Sequence, residues 1–276
     1  MKKSKISLSA WFGFLLGIGF IFSAVLESHD PMLFWNLPSF FIIIGGTTAT
    51  VLTVFPPSKL KLFFPTLRRA FIKTHIDIPQ DIETLVELAK EARSKGLMAL
   101  EDQAPQYEDD KFLQEGMLLI ADGISEEDLR KHMEGVMYFT KKRHSKGASM
   151  IELVAATAPS LGLVGTYIGL IPMLTSLDDP TSLGPMMAIE LVSSFYGGVI
   201  ANVLFSPLAK RLKVMADEEF SRNELVLEGL LSIHQGRNPR MIEAELTAYM
   251  NIKNDKKGNS IDFEDTKKKK KKTKAA

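Results

Sequence analysis

Residues 158–170 read Ala158-Pro159-Ser160-Leu161-Gly162-Leu163-Val164-Gly165-Thr166-Tyr167-Ile168-Gly169-Leu170, inside a long uncharged run. This stretch is apolar enough for a bilayer, yet it carries a proline, three glycines and a threonine. Small residues let another backbone approach closely, and a proline leaves one helix carbonyl without its donor. A threonine at membrane depth needs a partner in its own helix, a neighbouring helix, water or an ion. The stretch therefore predicts a tightly packed membrane helix that is a candidate for lining a polar path, with Pro159 as its flex point.

Four segments are long and apolar enough to cross a membrane, which takes about 20 residues. They are predicted at 8–26, 38–55, 150–174 and 186–208. The first follows three lysines as the apolar run of a signal peptide does, but no Ala-x-Ala cleavage site follows it. We interpret it as a retained anchor. The predicted fold is an all-α integral membrane protein with four transmembrane helices, a helical cytoplasmic domain between spans two and three and a cytoplasmic C-terminal helix.

The distribution of Lys and Arg predicts the orientation of the spans. Basic residues precede the first span, follow the second, precede the third and follow the fourth, whereas the loops 27–37 and 175–185 contain none. Such clusters mark the cytoplasmic side of a membrane. We therefore expect a multi-pass protein of the cell membrane with both termini in the cytoplasm and both short loops outside.

Composition divides the chain into five predicted segments. They are an N-terminal transmembrane hairpin (1–57), a helical cytoplasmic domain (58–147), transmembrane helices three and four (148–210), cytoplasmic C-terminal helices (211–252) and a Lys-rich tail (253–276). Apolar residues at helical spacing predict helices in the second segment, and Ser125 is the expected cap of the one that leads into the third span. A break is predicted at 235–239, before a short last helix over 241–250. We expect the tail to be disordered and regard it as a candidate for association with anionic lipid.

Helices three and four share small residues spaced three or four apart. They are Gly162, Gly165 and Gly169 in the third helix, and Ser193, Gly197 and Ala201 in the fourth. Close packing of membrane helices accounts for this spacing if the hydroxyls bond to carbonyls of their own helix. The alternative interpretation is a polar seam used by an ion.

The spans lack Asp, Lys, Arg and His, although an ion path through hydrocarbon normally needs an ionisable group. Glu152 is expected at the cytoplasmic end of helix three, and Glu190 is interpreted as an acid that reaches the outer face. If the chain conducts ions, the essential carboxylate is therefore expected from another protein. We do not predict an enzyme, because no nucleophile–base set, phosphate loop or metal-ligand cluster is evident, and the chain has no cysteine.

Three motifs resemble the MotA/PomA group of flagellar motor stator proteins, within the wider family that includes ExbB and TolQ. They are Ala92-Arg93-x-x-Gly96-Leu97-x-Ala99-Leu100-Glu101, the 158–170 stretch, and Phe195-Tyr196-Gly197 with Ala201-Asn202 and Pro207. The break Gln235-Gly236-x-Asn238-Pro239 is similar as well. Together, in this order and on four spans, they cover most of the chain.

The resemblance implies a ring of five copies around two copies of a MotB-type partner, whose single membrane helix carries the ion-binding aspartate. Ion flow would turn the ring, and the cytoplasmic domains would act on the rotor protein FliG. By motif position, the rotor-contacting charges are Arg93 and Glu101, the torque-coupling prolines are Pro159 and Pro207, and the hydroxyls near the ion path are Thr166, Ser193 and Ser194. No cofactor, bound metal or nucleic acid is implied, only a translocated ion and membrane lipid.

Two alternatives remain open at this point. One is an ExbB/TolQ-like proton channel that energises envelope processes, which the N-terminal hairpin and the Arg93–Glu101 segment disfavour. The other is a membrane scaffold that conducts nothing. The ion is also open: Thr166 resembles sodium-driven members, Ser193 and Ser194 stand where many relatives have threonine, and Glu190 stands where an apolar residue is usual. Protons are the first assignment and sodium is the alternative.

Overall fold

The computed structural model describes residues 5–73, 76–178 and 180–258, and these ranges are almost entirely helical. The helices are α1 (Leu8–Leu26), α2 (Leu37–Phe40, a π segment Phe41–Gly45 and Gly46–Val54), α3 (Pro57–Leu60), α4 (Phe63–Arg69), α5 (Ile78–Lys95), α6 (Ala99–Gln103), α7 (Lys111–Ala121), α8 (Glu126–Thr175), α9 (Pro180–Gly198, a π segment Val199–Phe205 and Ser206–His234) and α10 (Pro239–Gly258). Two short 3-10 turns lie at Pro31–Phe34 and Ala104–Tyr107. The two-residue strands β1 (Lys5–Ile6) and β2 (Ile72–Lys73) pair antiparallel.

Four helices of the described residues are long and apolar enough to cross a membrane, as the sequence predicted. They are Leu8–Leu26, Pro31–Val54, Glu126–Thr175 and Leu183–His234. No residue of α1 is buried, and large apolar side chains such as Phe12, Phe20 and Leu191 are more than half exposed. An apolar surface of this extent needs lipid or other chains to cover it. The chain is a multi-pass α-helical membrane protein.

Several helix boundaries differ from those predicted. The helix capped by Ser125 and the third span form one 50-residue helix, α8, with Pro159 and Pro172 inside it. The fourth span continues through a π segment into the amphipathic helix that follows it. The predicted break is present, since α9 ends at His234 and Gly236 has a φ of 67°. Helix α10 runs to Gly258, beyond the predicted end at residue 250, and residues 259–276 of the predicted tail lie outside the described ranges.

The chain forms two compact units. The apolar unit comprises Lys3–Thr74 and Thr140–Asp217, and the charged unit comprises Met1–Lys2, His75–Phe139 and Glu218–Ala276. The strand pairing belongs to the apolar unit, where the backbone N–H of Ser7 also donates to the carbonyl of Phe71 at 3.1 Å.

In the apolar unit, contacts between distant parts of the sequence join three segments to α8 and α9. The three segments are α2, the 3-10 turn before it and the end of α4. A Cβ on Gly46 of α2 would lie 2.9 Å from Leu161 of α8. The Tyr196 hydroxyl donates to the carbonyl of Phe34 at 2.5 Å, and the Arg211 Nε donates to the carbonyl of Ala70 at 2.6 Å. These contacts hold the rest of the apolar unit in place beside the interface between α8 and α9.

The charged unit has its own apolar core. Its most deeply buried large side chains are Leu85, Leu100, Met117, Ile120, Leu129, Met133, Leu230, Leu231, Ile233 and Ile242. Side-chain caps start the helices around this core: Asp77, Asp110 and Ser125 each accept a hydrogen bond from a backbone N–H of the first turn. The expected Ser125 cap is confirmed, and such a cap contributes about 1 kcal/mol.

Arg222 of α9 joins the starts of α5 and α7. Its Nε and Nη2 donate to the two carboxylate oxygens of Asp81 at 2.8 and 2.7 Å, and Nη2 also donates to Asp110. The three side chains are only 15–25% exposed. Burial alone would lower the pKa of the Arg222 guanidinium, but the hydrogen bonds and charges of the two carboxylates outweigh burial and raise it above its ordinary value. The cluster therefore ties three helices together as one charged, hydrogen-bonded group.

Replacing Arg222 by Leu is expected to destabilise the charged unit by about 2–3 kcal/mol, because two poorly hydrated carboxylates lose their common partner. The matched control is Arg130→Leu, since Arg130 pairs with Glu228 at 3.0 Å but both side chains are more than 40% exposed. That control should cost about 1 kcal/mol or less. Thermal unfolding of the purified protein, followed by circular dichroism, measures both. Equal losses in the two variants would contradict this account of the cluster.

Candidate functional site

Helices α8 and α9 approach so closely that side chains are excluded along one line. A Cβ on Gly165 would lie 2.3 Å from the Cβ of Ser193, and a Cβ on Gly169 would lie 2.6 Å from the carbonyl oxygen of Met186. On the other helix, a Cβ on Gly197 would lie 2.7 Å from the carbonyl oxygen of Ala158. We call this line the seam, formed by Ala158, Gly162, Gly165 and Gly169 of α8 and Met186, Glu190, Ser193 and Gly197 of α9. The predicted close packing of these two helices is observed.

Of the three predicted hydroxyls, only Ser193 lies in the seam. Ser193 is fully buried, and its Oγ has no hydrogen-bond partner among the described residues. Thr166 donates to the carbonyl of Leu163 in its own helix at 2.7 Å. Ser194 is exposed on the surface of the unit. The structure therefore does not bring the three hydroxyls together, and their roles in an ion path stay predictions.

The unpaired hydroxyl of Ser193 has a physical cost. A buried polar group without a partner destabilises a protein by about 1–3 kcal/mol, and most such groups in native proteins are paired. Gly165 faces this hydroxyl and offers no side chain that could bond to it. A group from outside the chain, such as water, a cation or a partner's polar atom, would satisfy it.

The two acids of the seam helices have different surroundings. Glu152 of α8 forms an ion pair with Lys213 of α9, with Nζ and Oε1 2.6 Å apart. Glu190 is half-buried, and among the described residues its carboxylate makes no hydrogen bond or ion pair. Its helix neighbour across the seam is Gly169, whose added Cβ would lie 3.0 Å from the Cβ of Glu190. Lys213 thus neutralises Glu152, whereas Glu190 has no such partner in the part of the chain that the structure describes.

Both predicted torque-coupling prolines lie within helices and are exposed. Pro159 lies inside α8 beside the buried Ala158, and its ring nitrogen leaves the carbonyl of Ala155 without a helical donor. Pro207 follows the π segment Val199–Phe205 by two positions. Such segments widen the helix and occur often at functional sites. Sequence reasoning missed this π segment.

Arg93 and Glu101 belong to the charged unit and lie on different helices. Arg93 is in the last turn of α5 and Glu101 in the first turn of α6, separated by Gly96 with a φ of 88°. The two residues therefore do not share a continuous helix. Both side chains are exposed, and neither forms a hydrogen bond or ion pair with other described residues. They are available to an external partner.

The surroundings of Arg93 are basic and partly apolar. Arg93 lines a shallow pocket whose other members are Ala89, Ala92, Gly96, Leu97, Ile233, His234, Gln235, Gly236 and Arg237. Arg237 is held by Glu245 at 2.8 Å, whereas Arg93 has no such partner among the described residues. On the same helix end, a hydrogen bond from Lys95 to Glu91 and the attraction of the two charges raise the pKa of Lys95. Local sequence patterns could not place the helix break at Gly236 beside Arg93, because the two are far apart in sequence.

These features define a class: a multi-pass helical membrane protein with a close seam between two spanning helices, an unpaired buried hydroxyl in that seam and free charges on a separate unit. The model of the MotA/TolQ/ExbB proton channel family matches residues 104–225. The chain is 34% identical over 248 residues to motility protein A of Treponema phagedenis, an alignment that covers 90% of this chain and 95% of the relative. The chain belongs to the MotA/TolQ/ExbB family.

Further likenesses extend over nearly the same length. The chain is 37% identical over 240 residues to the uncharacterized protein YtxD of Bacillus subtilis (strain 168), covering 86% of this chain and 88% of YtxD. Its structure is similar to that of a chain in the flagellar MotAB stator complex from Bacillus subtilis, with a TM-score of 0.80 and 30% sequence identity. That match covers 90% of this chain and 97% of the other.

The seam predicts a size-dependent coupling between Gly165 and Ser193. Gly165→Ala should destabilise the protein by about 1–3 kcal/mol, because the new methyl group would overlap the Ser193 side chain. Ser193→Gly removes the overlapping atoms, so the double variant should recover most of the loss, which is a non-additive result. Gly198→Ala is the matched control, since an added Cβ there meets no atom within 4 Å. Thermal stability in detergent checks the four proteins, and additive losses would contradict the contact.

Proposed function

We propose that this chain is a subunit of a flagellar motor stator, in which cation flow across the membrane drives rotation and torque on the flagellar rotor. The observation that carries the proposal is the likeness, over nine tenths of the chain, to a chain of a flagellar MotAB stator complex. The relatives named for motility also align beyond helices three and four. This favours a stator over an ExbB/TolQ-like channel that energises envelope processes.

The seam supports a cation path to which this chain contributes α8 and α9 and a partner contributes the acid. Among the described residues, α8 carries no charged side chain after Glu152, and α9 carries none between Glu190 and Lys210. A cation that crosses hydrocarbon needs a polar or ionisable group along its way. We infer that a MotB-type partner with a single membrane helix supplies an aspartate beside the seam. The ion is assigned as the proton, with sodium as the alternative.

The proposed assembly is a ring of five copies of this chain around two copies of the partner. The exposed apolar side chains of the apolar unit are consistent with burial against neighbouring subunits and lipid. The distribution of basic residues supports an orientation with both termini in the cytoplasm of a cell-membrane protein. In this orientation the 58–147 and 211–252 segments are cytoplasmic, and Thr166, Ser193 and Ser194 lie in helices that face the partner.

Torque is proposed to pass through Arg93 and Glu101 to a rotor protein of the FliG type. Both side chains are exposed and unpaired among the described residues, so no bond within the chain must break before they meet complementary charges. Pro159 and Pro207 are the proposed positions at which the spanning helices bend as the cation is bound and released, because each leaves one helix carbonyl without a donor.

Reversing the charge of Arg93 should weaken torque severalfold while the protein still folds, because the side chain is exposed and makes no hydrogen bond or ion pair with other described residues. The measurement is the rotation speed of tethered cells that carry Arg93→Glu. Lys131→Glu is the matched control, since Lys131 is another exposed cation of the charged unit. A complementary reversal on the rotor should restore part of the torque. Normal torque in Arg93→Glu cells, or an equal loss in the control, would refute the rotor contact.

A further inference from the structure

Glu190 has no role in the proposed mechanism, yet it is an acid in a membrane-spanning helix without a partner in the described chain. Twenty positions separate it from Lys210, the first basic residue after the fourth span. At 1.5 Å per residue this is about 30 Å, which is the thickness of the hydrocarbon core. With Lys210 at one boundary of the membrane, Glu190 lies at the opposite boundary. It therefore stands at the mouth of the seam.

Glu190 and Ser193 present their side chains to the same partner helix. They are three residues apart on α9, which places them on one face. Across the seam they meet two glycines four residues apart on α8: Glu190 lies against Gly169, and Ser193 lies against Gly165. The carboxylate and the hydroxyl thus follow one another along a single line, from the mouth toward the interior.

The Glu190 carboxylate and the Ser193 hydroxyl both lack a hydrogen-bond or ion-pair partner among the described residues. The Ser193 residue is 0% exposed and its Oγ has no hydrogen-bond partner among the described residues. The Glu190 carboxylate likewise has no described cation within reach, in contrast to Glu152, whose charge is paired with Lys213. At each position the facing residue is a glycine, so the backbone of α8 lies directly against the two side chains and provides no side-chain donor for them. Oxygen atoms that are left free in this way are ligands for a hard monovalent cation or acceptors for a proton.

The charge around the mouth favours the approach of a cation. The segments 27–37 and 175–185 contain acids but no Lys or Arg. Charges of one sign beside a low-dielectric wall raise the local concentration of the opposite ion. A carboxylate at that boundary collects cations from water, and the buried hydroxyl one turn further in provides the next oxygen.

We propose that Glu190 and Ser193 form a cation-binding site at the mouth of the seam, which loads the driving ion before it reaches the partner's acid. For protons, the Glu190 carboxylate takes a proton from hydronium, releases water, and later gives the proton to the next acceptor. For sodium, the carboxylate and the hydroxyl replace two water oxygens of the hydrated ion. The site rests on the proposed function, in that it loads the ion that drives the motor.

The test uses cells with the complete stator and measures rotation speed against external sodium at constant pH and against pH at constant sodium. The wild-type chain identifies the driving ion. Glu190→Gln should raise the half-saturating concentration of that ion by about threefold to tenfold, because a negative charge is removed from the mouth. The speed at saturating ion should change less than twofold. Glu190→Asp, which keeps the charge, should recover most of the affinity, and Ser193→Ala should shift it in the same direction as Glu190→Gln.

Glu243→Gln is the control, because Glu243 is an exposed acid of α10 in the charged unit and outside the seam. An unchanged half-saturating concentration in Glu190→Gln cells would overturn the site, and so would an equal shift in Glu243→Gln cells. Loss of speed at every ion concentration would assign Glu190 a structural role and would also overturn it.

A second measurement separates failure of the site from failure of the proposed function. In the purified complete stator, the infrared carboxylate bands should change when sodium chloride is added or the pH is lowered, and one component should be absent from the Glu190→Gln protein. If the wild-type stator turns no motor, the proposed function fails while this measurement still tests the site. If the spectra of the two proteins respond identically, the site is refuted whatever the motor does.

Discussion

The close approach of α8 and α9 is the constraint on which the apolar unit depends. At Gly165, Gly169 and Gly197 an added Cβ would lie less than 3 Å from atoms of the facing helix, so only glycine fits without movement. In a bilayer, helix association relies on such close packing, because lipid tails are as apolar as the helices themselves. The same approach buries Ser193 against a glycine and leaves its hydroxyl unpaired. The close approach of α8 and α9 is therefore the cause both of the tight packing and of the unpaired hydroxyl in the seam.

Charge lies near the two ends of the seam rather than along its middle. Glu152 and Lys213 neutralise one another at one end, and Glu190 stands unpaired at the other. Among the described residues, none between Glu190 and Lys210 on α9 or after Glu152 on α8 is charged, so a cation that travels along this stretch needs an acceptor from another chain. Such an arrangement keeps the desolvation cost of a buried charge out of the isolated subunit. Under the proposed function, conduction then depends on assembly with the partner.

The spans and several helix ends could be predicted because they follow from local rules. The 8–26 span was predicted to the residue, since hydrocarbon thickness sets its length and polar residues bound it. The Ser125 cap and the break at Gly236 likewise rest on neighbouring residues. The Arg222 cluster was missed because its carboxylates lie 141 and 112 positions away in sequence. Residue spacing also could not show which of Ser193 and Ser194 is buried. Adjacent residues point about 100° apart around a helix axis, so the answer depends on how α9 is rotated against α8.

The central claim is that this chain provides one wall of a cation path whose acid comes from a partner. The most direct test is cation flux into liposomes that contain the purified chain alone or together with its MotB-type partner, at equal protein density. The account predicts negligible flux of protons and sodium through the chain alone and measurable flux with the partner present, lost again when the partner's membrane aspartate is replaced by asparagine. Flux through the chain alone, equal to that of the complex, would contradict it.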